Sequence, residues 1–330
     1  VSGGRVPVYS ANVYEEFGRI DKENMKDYSR PSVIWGIDGD WMVNIIPAGV
    51  PFYPTDHCGV LRIKTEKILP EYMMYALQAE GEYERFSRNN RASAQRIRSL
   101  VVQAPETKIQ KNIIDELKAL DDKINGQNAE IEKYENSIRT KFDQIFHLEE
   151  FISDGVFSKY EGYSVEDLCI DGRGRVINQQ YIENHKGPYP VYSSQTTNDG
   201  IFGSIDTFDF DGEYITWTTD GAKAGTVFYR NGKFNCPNVC GTLKAKNDKV
   251  NMRYLAYLLN RIAYKFVSRV GNNKLMNDAM KKIVVPVPKR QLQDEFADFV
   301  QSVEKSKFEC IGKKEKFEIE KDTFVHKYFR

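Results

Sequence analysis

No apolar run in the sequence approaches the ~20 residues that a membrane-crossing helix needs, which excludes that class of protein. Net charge is also absent, since 47 basic residues balance 47 acidic ones, so no uniformly basic coat exists and any polyanion must be met by local patches. Cysteine is scarce and odd in number, five in 330 residues, which excludes a disulfide framework and fits a reducing cytoplasm. The opening VSGGRVPVYSA lacks the basic-then-apolar layout of a signal peptide. Histidine is rarer still: His57, His147, His185 and His326 have no partner at catalytic spacing. There is no phosphate-loop motif, no G-x-S-x-G elbow and no H-E-x-x-H, and DGAKAGT (220–226) lacks the lysine next to the final threonine that a phosphate loop requires. Cys236 and Cys240 have no second Cys/His pair at zinc-finger spacing, so they read as buried thiols rather than metal ligands. The chain itself reads as non-catalytic, with no cofactor of its own.

What is present is an internal repeat. GRVPVYSAN (4–12) returns as GPYPVYSSQ (187–195), and Trp35 with Asp38-Gly39 returns as Trp217 with Asp220-Gly221. Pro54, Cys58-Gly59 and Leu61 match Pro237, Cys240-Gly241 and Leu243. EYMMYALQ (71–78) matches RYLAYLLN (253–260), NNR (89–91) matches NNK (272–274), and VVQAP (101–105) matches VVPVP (284–288). The order is kept throughout, so the chain holds two copies of one unit of about 180 residues, too long for a solenoid repeat and right for a duplicated domain. Copy two has a lead-in, 162–190, with no counterpart before Gly4, so copy one is expected to be N-terminally incomplete in this sequence, through truncation or rearrangement.

Each copy opens with short segments rich in Thr, Val, Tyr and Phe, separated by DG, NG and GG pairs that make turns, and then a helix: an α+β zone. After a proline-punctuated strand a second, strongly helical zone begins. In copy one Ile113, Leu117, Leu120, Ile124, Ile131, Tyr134, Ile138 and Ile145 follow alternating steps of four and three, interrupted by Gln127 and Lys141. Copy two places Phe296, Val300, Val303, Cys310, Phe317, Phe324 and Tyr328 on the same template, diluted by Lys307, Lys314 and Lys321. These are heptad seams. A lone helix of ~55 Å would leave its stripe wet, so the two helices are expected to pair with each other.

Basic and amide residues gather at matched places. RFSRNNRASAQRIR (85–98) carries five arginines and no acid, and its mate from Arg261 to Lys282 has Asp278 as its one acid among six basic residues. Arginine and lysine suit phosphates, asparagine and glutamine can bond adenine with two hydrogen bonds, and arginine can do so with guanine. The candidate DNA-binding residues are therefore Arg85, Arg88, Asn89, Asn90, Arg91, Gln95 and Arg96 in copy one. In copy two they are Gln195, Thr196, Thr197, Asn198, Thr219, Lys223, Arg269, Asn272, Asn273 and Lys274.

A duplicated unit with a G-x-x-P-V-Y-S block, a DG turn, a strand running into P-x-P and then a long helix resembles the specificity subunit of type I restriction-modification systems, over almost the whole chain. The resemblance implies an α+β fold with two repeated target-recognition domains (1–104 and 151–288) separated by two long antiparallel coiled-coil-like helices (105–150 and 289–330). It implies a subunit that is not an enzyme, reading a bipartite double-stranded DNA target. Its partners would be DNA adenine methyltransferase subunits, which use S-adenosylmethionine, and motor-nuclease subunits, in the cytoplasm and away from membranes. Because the loops of the two copies differ, the target is expected to be asymmetric. The competing class is a coiled-coil scaffold whose α+β domains bind protein.

Overall fold

The computed structural model describes residues 3–146, 160–196 and 198–329. It divides into two compact units, Val1–Ile131 with Phe308–Arg330, and Glu132–Lys307. Both units draw on the two long helices, whereas the sequence suggests 105–150 and 289–330 as separate spacer segments; of that division, 147–159 lie outside the described residues.

The first unit carries β1 (Val6–Tyr9), β2 (Gly18–Ile20), β3 (Ser32–Gly36), β4 (Val43–Ile46), β5 (Tyr53–Pro54) and β6 (Cys58–Leu61). These form two three-stranded sheets, ordered β2-β1-β5 and β4-β3-β6. β3 is the run SVIWG, buried at every position, as expected of a central strand rich in β-branched and aromatic residues. It pairs antiparallel with β4 and β6, setting Trp35 between Val43 and Gly59. Helices α1 (Pro70–Tyr83) and α2 (Ala94–Ser99) follow, then the N-terminal part of α3 (Thr107–Phe146). Pro70 opens α1 where a missing N–H costs nothing.

The second unit repeats this plan with an addition at its start. Its elements are β7 (Gly162–Ser164), α4 (Val165–Leu168), β8 (Cys169–Arg173), α5 (Gln179–Asn184), β9 (Lys186–Tyr192) and β10 (Ile201–Ile205). Then come β11 (Glu213–Thr218), β12 (Val227–Asn231), β13 (Cys240–Ala245), α6 (Met252–Ile262), α7 (Asn277–Lys281), β14 (Val284–Pro286) and α8 (Arg290–Phe329). The main sheet runs β12-β11-β13-β8, so the lead-in supplies a fourth strand, and β7 pairs with β14. In the first unit the corresponding sheet has three strands and ends at β6.

The two copies share internal contacts as well as sequence. The indole of Trp35 donates to the Ala92 carbonyl at 2.9 Å, and that of Trp217 to the Leu275 carbonyl at 2.9 Å. Tyr72 donates to the Gln103 carbonyl at 2.9 Å and Tyr254 to that of Pro286 at 3.0 Å. The fully buried Gln110 accepts from the Leu69 amide and donates to the carbonyls of Lys67 and Pro105; Gln293 treats Asn251, Lys249 and Pro288 in the same way. Each glutamine satisfies the backbone groups where a long helix leaves its domain, which an apolar residue there would leave orphaned.

The expected helix pairing is present within each unit. In the first, Lys321 donates to Asp121 at 2.6 Å and Lys123 lies over Phe317; in the second, Lys307 bonds Glu135, Lys141 bonds Glu295 at 2.8 Å, and Phe142 meets Phe296. As numbers rise along α3 they fall along α8, so the helices are antiparallel. Leu117 and Leu120 are buried in the first unit, Ile138, Phe296 and Val300 in the second. Lys307 and Lys321, which interrupt the apolar seam in sequence, reach across to acids of the facing helix.

Candidate nucleic-acid interface

In the second unit β11 ends in a tight turn whose glycines, Gly221 and Gly225, have φ of +97° and +85°, values that side chains other than glycine resist. Thr219 is fully buried beneath it, its hydroxyl 2.6 Å from the Asp220 carboxylate and 2.7 Å from the Val239 carbonyl. It therefore sets Asp220 rather than facing a ligand. A hairpin-like loop docks on this turn: the Gly221 amide donates to the Asn273 carbonyl at 3.1 Å and the Leu275 amide to the Thr219 carbonyl at 2.9 Å. Lys274 lies 3.8 Å from Asp220. Facing the turn is the segment after β9, where the Gln195 side chain donates to the Ile201 carbonyl.

Two adjoining cavities result. One, of about 670 Å³, is lined by Asn178, Gln195, Thr196, Lys223 and Asn238 among others; the second, of about 590 Å³, shares Ser194 and the turn 220–222 and extends to Asn272 and Asn273. Sequence-distant candidates thus meet: Gln195, Thr196, Lys223, Asn272 and Asn273 line one continuous concave surface, with Lys274 paired to its floor. Arg269 is exposed on the same loop but lines neither cavity. Asn198 is exposed at the far end of the 195–200 segment, and Thr197 lies outside the described residues.

The first unit builds a cavity at the equivalent place, about 460 Å³, lined by Ala11, Asp38, Gly39, His57, Arg88 and Arg91. The Ala92 amide donates to the Ile37 carbonyl at 2.9 Å, the same bond that holds the loop in the second unit. Asp38 is the counterpart of Asp220; it receives Arg91 at 3.2 Å and lies 2.9 Å from Nδ1 of His57. Asn90 and Arg96 are engaged inside the protein: Asn90 donates to the carbonyls of Glu84 and Arg85, while Arg96 donates to Asn90 and lies 4.4 Å over the Phe86 ring. Arg85 occupies a left-handed backbone position, φ 56°, and with Asn89 and Gln95 is exposed outside this cavity.

His57 and Asp38 have no place in the sequence-based set. A lone histidine carries no signal of its own, and its contact spans a turn and a strand; the signal that could have found it is the repeat, which aligns Asp38-Gly39 with Asp220-Gly221. The ion pairs on the cavity floors are half exposed, with Arg91 at 58% and Lys274 at 50%, so each holds its partner weakly. Their donors remain accessible to a phosphate or a base edge.

Two copies of a Trp-anchored α+β scaffold, each presenting a polar and cationic cleft of different side chains beside a paired-helix stem, define a duplicated recognition protein. The type I restriction modification DNA specificity domain matches residues 2–133 and 158–321, and the chain belongs to that family, whose members are the non-catalytic DNA-recognition component of their systems. A Mycoplasma pneumoniae chain named as a putative type I specificity subunit is 39% identical over 212 residues, which are 64% of this chain and 77% of that one. The specificity subunit of the type I restriction enzyme MpnII, from the same organism, is 48% identical over 147 residues, 44% of each chain. The crystal structure of a type I S subunit from M. genitalium shares the fold, with a TM-score of 0.64 at 17% identity over 99% of this chain and 89% of that one.

Proposed function

We propose that the chain reads a bipartite, asymmetric double-stranded DNA target, with 1–104 and 151–288 as its target-recognition domains and 105–150 and 289–330 as spacer helices. The observation that carries this is the pair of equivalent clefts: the same Trp-anchored loop and the same Asp-Gly turn present Arg88, Arg91 and His57 in one copy and Gln195, Asn272, Asn273 and Lys274 in the other. A shared frame with divergent donors is what reading two different half-sites requires. The resemblance supports recruitment of adenine methyltransferase subunits carrying S-adenosylmethionine, and of motor-nuclease subunits, in the cytoplasm. Among the described residues no helix is long and apolar enough to cross a membrane.

The test is binding of the purified chain to duplex DNA across a salt series, together with assay of the same preparation with magnesium and S-adenosylmethionine. Affinity is expected to fall steeply with salt, without cleavage or methyl transfer. Removal of Arg85, which is exposed outside the first cleft, should weaken binding to all sequences alike and reduce the salt slope. Partner association that ignores salt, without DNA retention, would instead favour a protein-binding scaffold.

A further inference from the structure

We propose that Arg230 is a positioning residue for DNA readout by the second unit: it holds residues 198–200 in a left-handed turn and so fixes where the nearby Gln195 and Thr196 stand in the cleft. The proposal deepens the function proposed above and rests on it. Arg230 lies in β12 with its side chain only 4% exposed, so it cannot reach a DNA phosphate from this position. A buried guanidinium must be paired, and here the pairing is one-sided. Nη1 donates to the Asp199 carboxylate at 2.6 Å and Nη2 to the Asp199 carbonyl at 2.7 Å. Both tines of the fork therefore grip one residue, backbone and side chain together, a geometry lysine cannot reproduce. The guanidinium is seated in turn by the Tyr192 ring at 3.6 Å, the Phe228 ring at 4.5 Å and the Thr216 hydroxyl at 3.3 Å.

The gripped segment is one that would not hold its shape alone. Asn198 and Asp199 both have φ of 50°, and Gly200 follows at 77°, three consecutive left-handed residues of which two carry side chains. Such a run persists only where its surroundings impose it. The Ser193 amide donates to the Gly200 carbonyl at 2.9 Å, which closes the turn over Gln195. Strand register shows that this device belongs to the second unit alone. Arg230 stands opposite Tyr214 as Ile46 stands opposite Ser32, so the first unit has a buried isoleucine at the equivalent place.

Two measurements on the full chain test this, with Arg230→Met as the main variant and Asp199→Asn as the second. Asp199 is 64% exposed and asparagine tolerates left-handed backbone, so Asp199→Asn loosens the grip without disturbing the core. The first measurement, amide hydrogen exchange without DNA, is expected to show exchange across 198–201 rising about tenfold or more in both variants, with α6 and β13 unchanged. Wild-type exchange there in Asp199→Asn would overturn the proposal even if Arg230→Met fails to fold. The second is selection from a library of randomised duplexes at an ionic strength of ~0.1 M, where charges beyond ~10 Å are screened. The variants should enrich the wild-type sequence at one half-site and lose discrimination at the other by roughly tenfold. Enrichment of an unchanged two-part sequence would reduce Arg230 to a core residue. If the wild-type chain itself enriched no sequence, the DNA-reading function would fail, and the exchange measurement would still decide whether Arg230 holds the turn.

Discussion

Gly59 and Gly241 show how far single residues hold this scaffold. A Cβ built on either would fall 2.1 Å or 2.2 Å from the indole of Trp35 or Trp217, so alanine forces each tryptophan off the bond that anchors its cleft loop. Gly241→Ala should lower unfolding free energy by about 1–3 kcal/mol, as overpacking does, and an unchanged urea midpoint would contradict the packing described. On the cleft, replacing Asn272, Asn273 and Lys274 by alanine should cost ~1–3 kcal/mol for each hydrogen-bonded base pairing removed, while leaving the melting temperature near that of the parent. Wild-type affinity and sequence preference in that triple variant would mark the loop as a structural turn. Burial pushes the thiols of Cys58 and Cys169 up to about 12, so at a pH of about 8 neither presents a thiolate. A thiol reagent at that pH should leave both unmodified in the native chain and label them in urea; rapid native labelling would show that these strands open.

At the scale of the element, the long helices are held by a seam that the sequence displays openly. Its period of alternating threes and fours is a local pattern, and Leu117, in one cluster with Tyr72, Ala76 and Ile114, is fully buried where that pattern places it. Leu117→Asp with Leu120→Asp puts two unpaired charges at buried positions and should cost roughly 3 kcal/mol or more, measured by thermal unfolding. An unaltered transition would rule out the pairing of α3 with α8. The repeat was equally legible, because Trp35, Gly59 and their mates are kept by the same packing in both copies. Strand register was not, since β12 could be seen as a strand but nothing local says that its Arg230 faces Asp199. Nor could the sequence tell exposed donors from engaged ones. Asn90 and Arg96 look like readers beside Arg91, yet they bond each other within the turn, and Thr219 looks polar and available yet lies fully buried. Such assignments depend on contacts between residues far apart in sequence, which residue type alone does not specify.

For the whole molecule, the duplicated fold and the family place DNA recognition in this chain, and the two clefts are the physical basis proposed for it. Their floors share one acid, Asp38 or Asp220, while their walls differ, so a change in one cleft should leave the other half of the target alone. The most direct test maps methylated sites across the genome of cells carrying this chain with a type I modification subunit. The parent, a first-cleft variant (His57→Ala with Arg91→Ala) and a second-cleft variant (Asn272→Ala, Asn273→Ala and Lys274→Ala) would be compared. Two separated half-sites should be methylated with the parent, and each variant should relax one half while keeping the other. A single unbroken site, or variants that alter both halves together, would contradict the two-cleft account.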